Sequence, residues 1–322
     1  VLRVARLAAP VVLANLSQTL MGLVDTLMVS RLGTAEVAAV GVATLLWAIL
    51  GNALKSLDVA VQSVVARRVG EGREAEVGQV VSTALVLVIG AGALVTAQGM
   101  LWPGAWLGAI LDDPHARDLG ARYLFWRWAG LVPFVAYFQV RACFDGIGWT
   151  RVGMVLGIGM NLLNVVLNWV LIFGRLGAPP LGVVGAAVAS GVASLVALLA
   201  IGAFALRPRV RHRFRFFARG NLRRDLAALL LRVGWPPALQ AAGLLVGIAL
   251  FYVALGRIST VAVAAANIVM RIAALSLMPG FGIAVAVQTL VGQALGAGDA
   301  RGAVRIGHQA TAQAVEAAGG RS

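Results

Sequence analysis

Residues 10–30, PVVLANLSQTLMGLVDTLMVS, decide the fold class of this chain. A helix of about twenty such apolar residues crosses the hydrocarbon core of a bilayer. Asp25 is the one ionisable residue in the stretch. Because a charge at that depth costs several kcal/mol, an acid inside a span is by default a functional-site hypothesis. The alternatives are an acid close enough to the interface to be hydrated, or the N-cap of a following turn.

Pro10 opens the same stretch, about 22 Å along the helix axis from Asp25. A proline removes one backbone hydrogen bond and gives a helix a place to bend. We therefore interpret Pro10 as a helix hinge and Asp25 as an ion-coupling residue.

The rest of the chain has the composition of a polytopic membrane protein. Its 322 residues are 60% apolar and 12% charged, with a mean hydropathy of +0.88. The net charge of +14 could indicate nucleic-acid binding. However, the arginines lie in short segments between apolar runs, as the positive-inside rule predicts. We therefore expect a lipid bilayer around the protein and no nucleic-acid partner.

Eight apolar runs are long enough to span a bilayer, and a ninth begins near residue 302. The runs are 8–30, 37–66, 78–102, 121–142, 153–174, 180–206, 233–256 and 260–294. Arginines concentrate at alternate ends of these runs, for example at Arg67, Arg68 and Arg73. The alternation predicts an all-α polytopic protein of a bacterial-type inner membrane, with its N-terminus in the cytoplasm.

The chain also repeats itself at an offset of 226 residues, which pairs Pro10 with Pro236, Gln62 with Gln288 and Gly70 with Gly296. Parallel repeats about an axis along the membrane normal are typical of transporters. We expect an N-terminal lobe at 1–206, a basic cytoplasmic linker at 207–232 and a partial C-terminal lobe at 233–322. The last residues, EAAGGRS, interrupt the ninth run, which indicates a C-terminally truncated fragment.

Several motifs, taken in order and spacing, resemble the multidrug and toxic compound extrusion (MATE) family. They are VDTLMVSRLG at 24–33, ARRVGEG at 66–72, ACFDGIGWTR at 142–151, NLLNVVLNWVLIFG at 161–174 and MPGFGIAVAVQTLVGQALGAGD at 278–299. The resemblance implies a two-lobe helical bundle, with one six-helix lobe complete here and the second partial. It also implies secondary active multidrug efflux by alternating access, in which organic, often cationic compounds are exchanged for protons or sodium.

The resemblance extends to individual site residues. In one branch of the family a proline-kinked first helix carries the essential acid, a pattern that Pro10 and Asp25 match. The fifth helix of that branch contributes an Asn and, four residues on, an acid, and here these positions are Asn164 and Asn168. Because Asn168 departs from the acid, we favour protons over sodium as the coupling ion. Ser190 on the sixth helix completes the predicted ion-coupling set.

Tyr137, Gln240 and Arg271 are weaker candidates that we assign to a substrate cavity for small drug-like molecules. For Tyr137 internal packing is the alternative, and for Arg271 the alternative is snorkelling to the interface. Lys55 and Asp58, three residues apart, are expected to form a structural pair. We expect a monomer without a metal or other cofactor.

Three other functions are alternatives to drug efflux. A flippase for lipid-linked oligosaccharides, from the same superfamily, needs several cations at mid-membrane, and only Lys55 and Arg271 qualify by sequence. An enzyme needs paired acids, a Ser/His set or a metal cluster, yet the one acid pair, Asp112-Asp113, falls in a predicted loop. The third alternative is a truncated protein that does not transport.

Overall fold

The computed structural model describes residues 2–102, 107–108, 110, 113–218, 220–258 and 260–317. Within these ranges the regular structure is helical, without a strand, which confirms the all-α prediction. The α-helices are α1 (Leu2–Ser30), α2 (Thr34–Lys55), α3 (Leu57–Gly70), α4 (Val77–Leu101), α5 (Pro114–Ala129), α6 (Leu131–Ile147), α7 (Thr150–Phe173), α8 (Val183–Ala205), α9 (Pro208–Phe214), α10 (Arg224–Ile258), α11 (Thr260–Gly296) and α12 (Ala300–Ala317). A 3₁₀ turn at Glu74–Glu76 precedes α4.

In the described part of the chain, six helical stretches are long and apolar enough to cross a membrane. They are Val4–Ser30, Thr34–Gly70, Glu74–Leu101, Thr150–Phe173, Val183–Ala205 and Arg224–Leu255. The prediction of a polytopic membrane protein is therefore confirmed. The expected single run at 121–142 is instead divided between α5 and α6.

The chain is divided into α5 and α6 at Gly130, where its backbone touches the backbone of α8. A Cβ atom added to Gly130 would lie 2.7 Å from the Cα atom of Gly191 in α8. Small residues allow this kind of close helix approach, which is a main source of packing energy when lipid removes the hydrophobic driving force. The contact between Gly130 and Gly191 thus fixes where α8 crosses the junction of α5 and α6.

The centre of the first lobe is α6, which packs against α3, α4 and α8. Tyr137, Cys143 and Phe144 on this helix are completely buried. α7 lies beside it and packs against both α1 and α8. Polar side chains of α1, α7 and α8 therefore meet inside the lobe rather than at the lipid surface.

The basic linker predicted at 207–232 is docked onto the first lobe. Phe214 and Phe216 are buried, and both rings lie within 6 Å of the Phe144 ring or the Trp149 ring, centroid to centroid. Arg213 donates to both carboxylate oxygens of Glu74, at 2.6 and 2.8 Å, and these hydrogen bonds raise the pKa of its guanidinium. The end of the linker is helical, since α10 already begins at Arg224.

The bounds of α11 repeat those of α2 and α3 at the predicted offset, since Thr34 and Gly70 correspond to Thr260 and Gly296. Contacts between the two copies are reciprocal. Gln62 Nε2 donates to Val285 O at 2.8 Å and to Thr289 Oγ1 at 2.9 Å. Gln288 Nε2 donates to Val59 O at 2.7 Å and to Ser63 Oγ at 2.8 Å. The two glutamines at matched repeat positions therefore join α3 and α11 by hydrogen bonds.

We call Gln62, Ser63, Gln288 and Thr289 the glutamine clamp. Every hydrogen bond of the clamp has a counterpart in which donor and acceptor are replaced by their equivalents in the other repeat, 226 residues away. A two-fold axis between equivalent surfaces produces this pattern. The same axis governs the backbone approach beyond the clamp. A Cβ atom on Gly70 would lie 2.1 Å from Gln293 O, and one on Gly296 would lie 2.2 Å from Arg67 O. The two copies are therefore in direct backbone contact at the end of the bundle that carries Arg67 and Arg68.

Candidate functional site

The structure brings together all four residues of the predicted ion-coupling set. Asn168 Nδ2 in α7 donates to Asp25 Oδ1 in α1 at 2.5 Å. The same nitrogen lies 3.0 Å from Asn164 Oδ1, one helical turn earlier. Asn164 in turn bonds Ser190 Oγ of α8 at 3.0 Å. The spacing of four residues on one helix face accounts for the first pair, and the packing of α7 against both neighbours accounts for the rest.

In a second orientation of its amide, Asn164 donates a hydrogen bond directly to Asp25. Oxygen and nitrogen of a side-chain amide are interchangeable by a half-turn, and the hydrogen-bond network decides between them. With the nitrogen turned toward α1, it donates to Asp25 Oδ1 at 3.0 Å, while the oxygen accepts from Ser190 Oγ at 3.0 Å and from Ser190 N at 3.2 Å. In this orientation two neutral amides donate to one carboxylate oxygen.

The network is buried and neutral apart from the acid. Asn168 is 0% exposed, Asn164 2% and Ser190 8%, whereas Asp25 is half-buried. Asn168 Oδ1 is enclosed without a hydrogen-bond partner in the described residues. Such an arrangement fixes the position of the carboxylate and leaves one acceptor available for a proton donor or a small cation.

Arg127 also belongs to this site and was missed in the sequence. It lies in α5, close enough to Asp25 to attract its carboxylate electrostatically, and its guanidinium lies 4.2 Å from the centre of the Trp47 ring. A cavity of about 30 Å³ lies beside it, lined in part by Asn164 and Ser190. That volume and polarity suit one water molecule. The available signal was an arginine inside the apolar run 121–142.

Pro10 lies in an unbroken helix, since α1 continues from Leu2 to Ser30 through it. Its side chain is buried, and near it Ala8 packs against Ala286 of α11. A second polar contact holds α1 to α7, where Asn161 Nδ2 donates to Ser17 Oγ at 3.0 Å. Residues on both sides of Pro10 contact the second lobe, since a Cβ atom on Gly282 of α11 would lie 3.1 Å from Ala8 O and 3.3 Å from Val12 N. The role of Pro10 as a hinge stays a prediction.

The three candidates for a substrate cavity are dispersed. Tyr137 is 0% exposed and lies inside the first lobe, where a Cβ atom on Gly157 would be 3.4 Å from its hydroxyl. Gln240 is exposed on α10. Arg271 lies in α11, and its side chain falls outside the described residues. The role assigned to these residues stays a prediction.

A charged cavity of about 340 Å³ lies between the two lobes, and sequence reasoning found only half of it. Lys55 Nζ and Asp58 Oδ2 form the expected pair at 3.0 Å. Arg141 and Asp145 form a second, longer pair at 3.6 Å, with both side chains under 10% exposed. Arg141 stands at the end of the predicted run 121–142, where the arginine pattern predicts a cytoplasmic helix end, but it is buried inside α6, which continues to Ile147. Gln62 and Gln288 of the clamp close one wall of this cavity.

Two helical repeats about a two-fold axis, with a carboxylate held by a polar network inside the first, are typical of a membrane transporter. The MatE family model matches residues 10–170 and 237–315. The chain therefore belongs to the MATE family, whose members are transporters rather than enzymes.

Its similarity to particular relatives is moderate and extends over most of the chain. It is 31% identical over 323 residues to the multidrug resistance protein PmpM of Pseudomonas aeruginosa, covering 94% of this chain and 64% of PmpM. It is 33% identical over 305 residues to a probable multidrug resistance protein NorM of Xanthomonas campestris, covering 92% and 65%. The chain thus spans about two thirds of the length of these relatives.

The solved structures agree on the fold. A MOP superfamily transporter from Pyrococcus furiosus superposes with a TM-score of 0.88 at 25% identity, over 98% of this chain and 69% of that one. A MATE crystal structure in the straight conformation gives a TM-score of 0.88 at 26% identity, over 98% and 70%. The two-lobe helical fold expected from the sequence is confirmed.

Proposed function

We propose that the natural protein exports drug-like organic compounds by antiport against protons, with sodium as the alternative ion. The observation that carries this proposal is the carboxylate of Asp25, held by Asn168 inside a membrane helix. The printed names of the relatives, which are multidrug resistance proteins, support the class of substrate. Efflux from proteoliposomes under an imposed proton or sodium gradient tests the proposal directly.

The mechanism begins with an unprotonated Asp25. Its negative charge favours a cationic substrate in the cleft, and the amides of Asn164 and Asn168 keep it oriented toward the centre of the lobe. Protonation from the outer side removes that attraction, α1 bends at Pro10 and the substrate leaves. The reset requires the clamp to open, so that the lobes part at the end that carries Arg67.

The energy available matches this scheme. One proton that moves inward down a potential of 100 mV supplies about 2.3 kcal/mol. That free energy supports roughly fifty-fold accumulation before any pH gradient is added. A single titrating carboxylate is therefore a sufficient coupling device.

The flippase alternative requires cations that could bind a phosphate. The structure places more cations inside the bundle than the sequence indicated, but each of them faces an acid. Lys55, Arg127 and Arg141 all lie inside the bundle. Lys55 and Arg141 are each paired with a carboxylate, and Arg127 faces Asp25. A pyrophosphate would have to displace these acids, so export of neutral or cationic compounds fits the charges better.

We further propose that the N-terminus is cytoplasmic. Cysteines introduced at Thr34 and Ala178 are then expected to react with an impermeant thiol reagent added outside intact cells, and one at Arg211 is not. The native Cys143 is completely buried, so it contributes little background. Labelling is measured on the full-length protein by gel shift.

Permeabilised cells provide the control, because the Arg211→Cys variant should then react as fast as the other two. Reaction of Arg211→Cys alone in intact cells would reverse the orientation and place the glutamine clamp on the outside.

A further inference from the structure

An apolar cavity of about 470 Å³ forms a groove on the outer surface of the first lobe. It runs between the start of α7 and the end of α8, which pack against each other. Its walls are apolar side chains: Val152, Val155, Leu156, Ala200, Ala203 and Phe204. Both helices are membrane spans, so the groove faces the acyl chains of one leaflet.

Two arginines stand at the end of this groove. Arg151 lies in the first turn of α7, and Arg207 follows the last turn of α8. Both are exposed, and the guanidinium of Arg207 lies 4.9 Å from the centre of the Phe204 ring in the groove wall. The cation–π contact orients this charge over the mouth of the groove.

The charge on these two residues is not balanced by an ion pair, in contrast to four other arginines near the same end of the bundle. Arg67, Arg68, Arg73 and Arg213 each form an ion pair with a glutamate. In the described part of the chain neither Arg151 nor Arg207 has a carboxylate within ion-pair distance. Two free guanidinium groups above an apolar groove are complementary to a phosphate with acyl chains attached.

We propose that this groove is a specific binding site for an anionic phospholipid, with the phosphate between Arg151 and Arg207 and one acyl chain along Val155 and Ala200. The geometry favours the lipid over a soluble anion, because the walls below the arginines are apolar and open to the bilayer. The site requires only that the protein be embedded in a membrane, and it does not depend on the proposed transport.

The test is native mass spectrometry of the purified full-length protein with dioleoyl phosphatidylglycerol or dioleoyl phosphatidylcholine. The wild type should retain phosphatidylglycerol in preference to phosphatidylcholine. The Arg151→Gln/Arg207→Gln variant should lose roughly thirty-fold in phosphatidylglycerol affinity, the fold-change expected for two interfacial arginines.

Two variants make the result specific. Arg209→Gln removes the same charge from the same segment outside the groove, and it should bind like the wild type. Ala200→Trp fills the groove and leaves both arginines in place, and it should weaken phosphatidylglycerol as well. The proposal is overturned if both phospholipids bind equally to the wild type, if Arg209→Gln weakens binding as much as the double variant, or if neither groove variant changes retention.

Discussion

Asp25→Asn in the full-length protein is expected to abolish drug efflux driven by a proton gradient while leaving membrane expression unchanged. Asparagine has nearly the same size as aspartate and still accepts the hydrogen bond from Asn168, so the contact between α1 and α7 survives. What it removes is the one titrating group of the network. Efflux of a fluorescent cationic drug from proteoliposomes should fall to the level of protein-free liposomes.

A matched variant separates coupling from general loss of charge. Asp118 is exposed on α5 and pairs with Arg122 at 2.9 Å, outside the network of Asp25. Asp118→Asn should transport like the wild type. Wild-type efflux in Asp25→Asn under both proton and sodium gradients would show that the acid is structural.

Much of the fold followed from the sequence because membrane spans are set by length and apolarity. The helix Thr260–Gly296 begins and ends where the 226-residue repeat places it, since both copies end at a glycine needed for backbone contact. The break between α5 and α6 has a local signal that the run 121–142 passed over, since Pro133 lacks the amide that would bond the Ala129 carbonyl. The approach of Gly191 to Gly130 from another helix is what no local pattern encodes.

Some residues of the candidate site could likewise be predicted from the sequence and others could not. Asn164 and Asn168 could be placed with Asp25 because a spacing of four residues puts them on one helix face and the family resemblance supplied the partner helix. Arg127 and Arg141 could not be placed, because in a sequence they look like interfacial arginines. Their surroundings come from other helices: the Trp47 ring of α2 lies against the first, and Gly153 of α7 packs against the second, which pairs with Asp145 one turn along its own helix.

The contact between α3 and α11 about the pseudo-two-fold axis is the basis of the second prediction. Transport by alternating access requires this contact to open. The position of the axis is marked by Ala66 and Gly292, which the offset of 226 makes equivalent. A Cβ atom on Gly292 would lie 2.8 Å from the Cβ atom of Ala66. A disulfide needs about 3.8 Å between its Cβ atoms, so a small separation of the two helices, about 1 Å, accommodates one.

Ala66→Cys/Gly292→Cys is therefore expected to cross-link under mild oxidation and to lose efflux in proportion to the cross-linked fraction. The fraction is measured by cutting an introduced protease site in the linker, since bridged protein then keeps both pieces together on a non-reducing gel. Each single cysteine variant carries its own part of the steric change without the bridge and should be insensitive to oxidation. Reductant should restore efflux in the double variant, because the lobes can part again once the bond is broken. Full efflux from completely bridged protein would mean that this surface stays closed throughout the cycle, and the opening movement would have to lie elsewhere in the bundle.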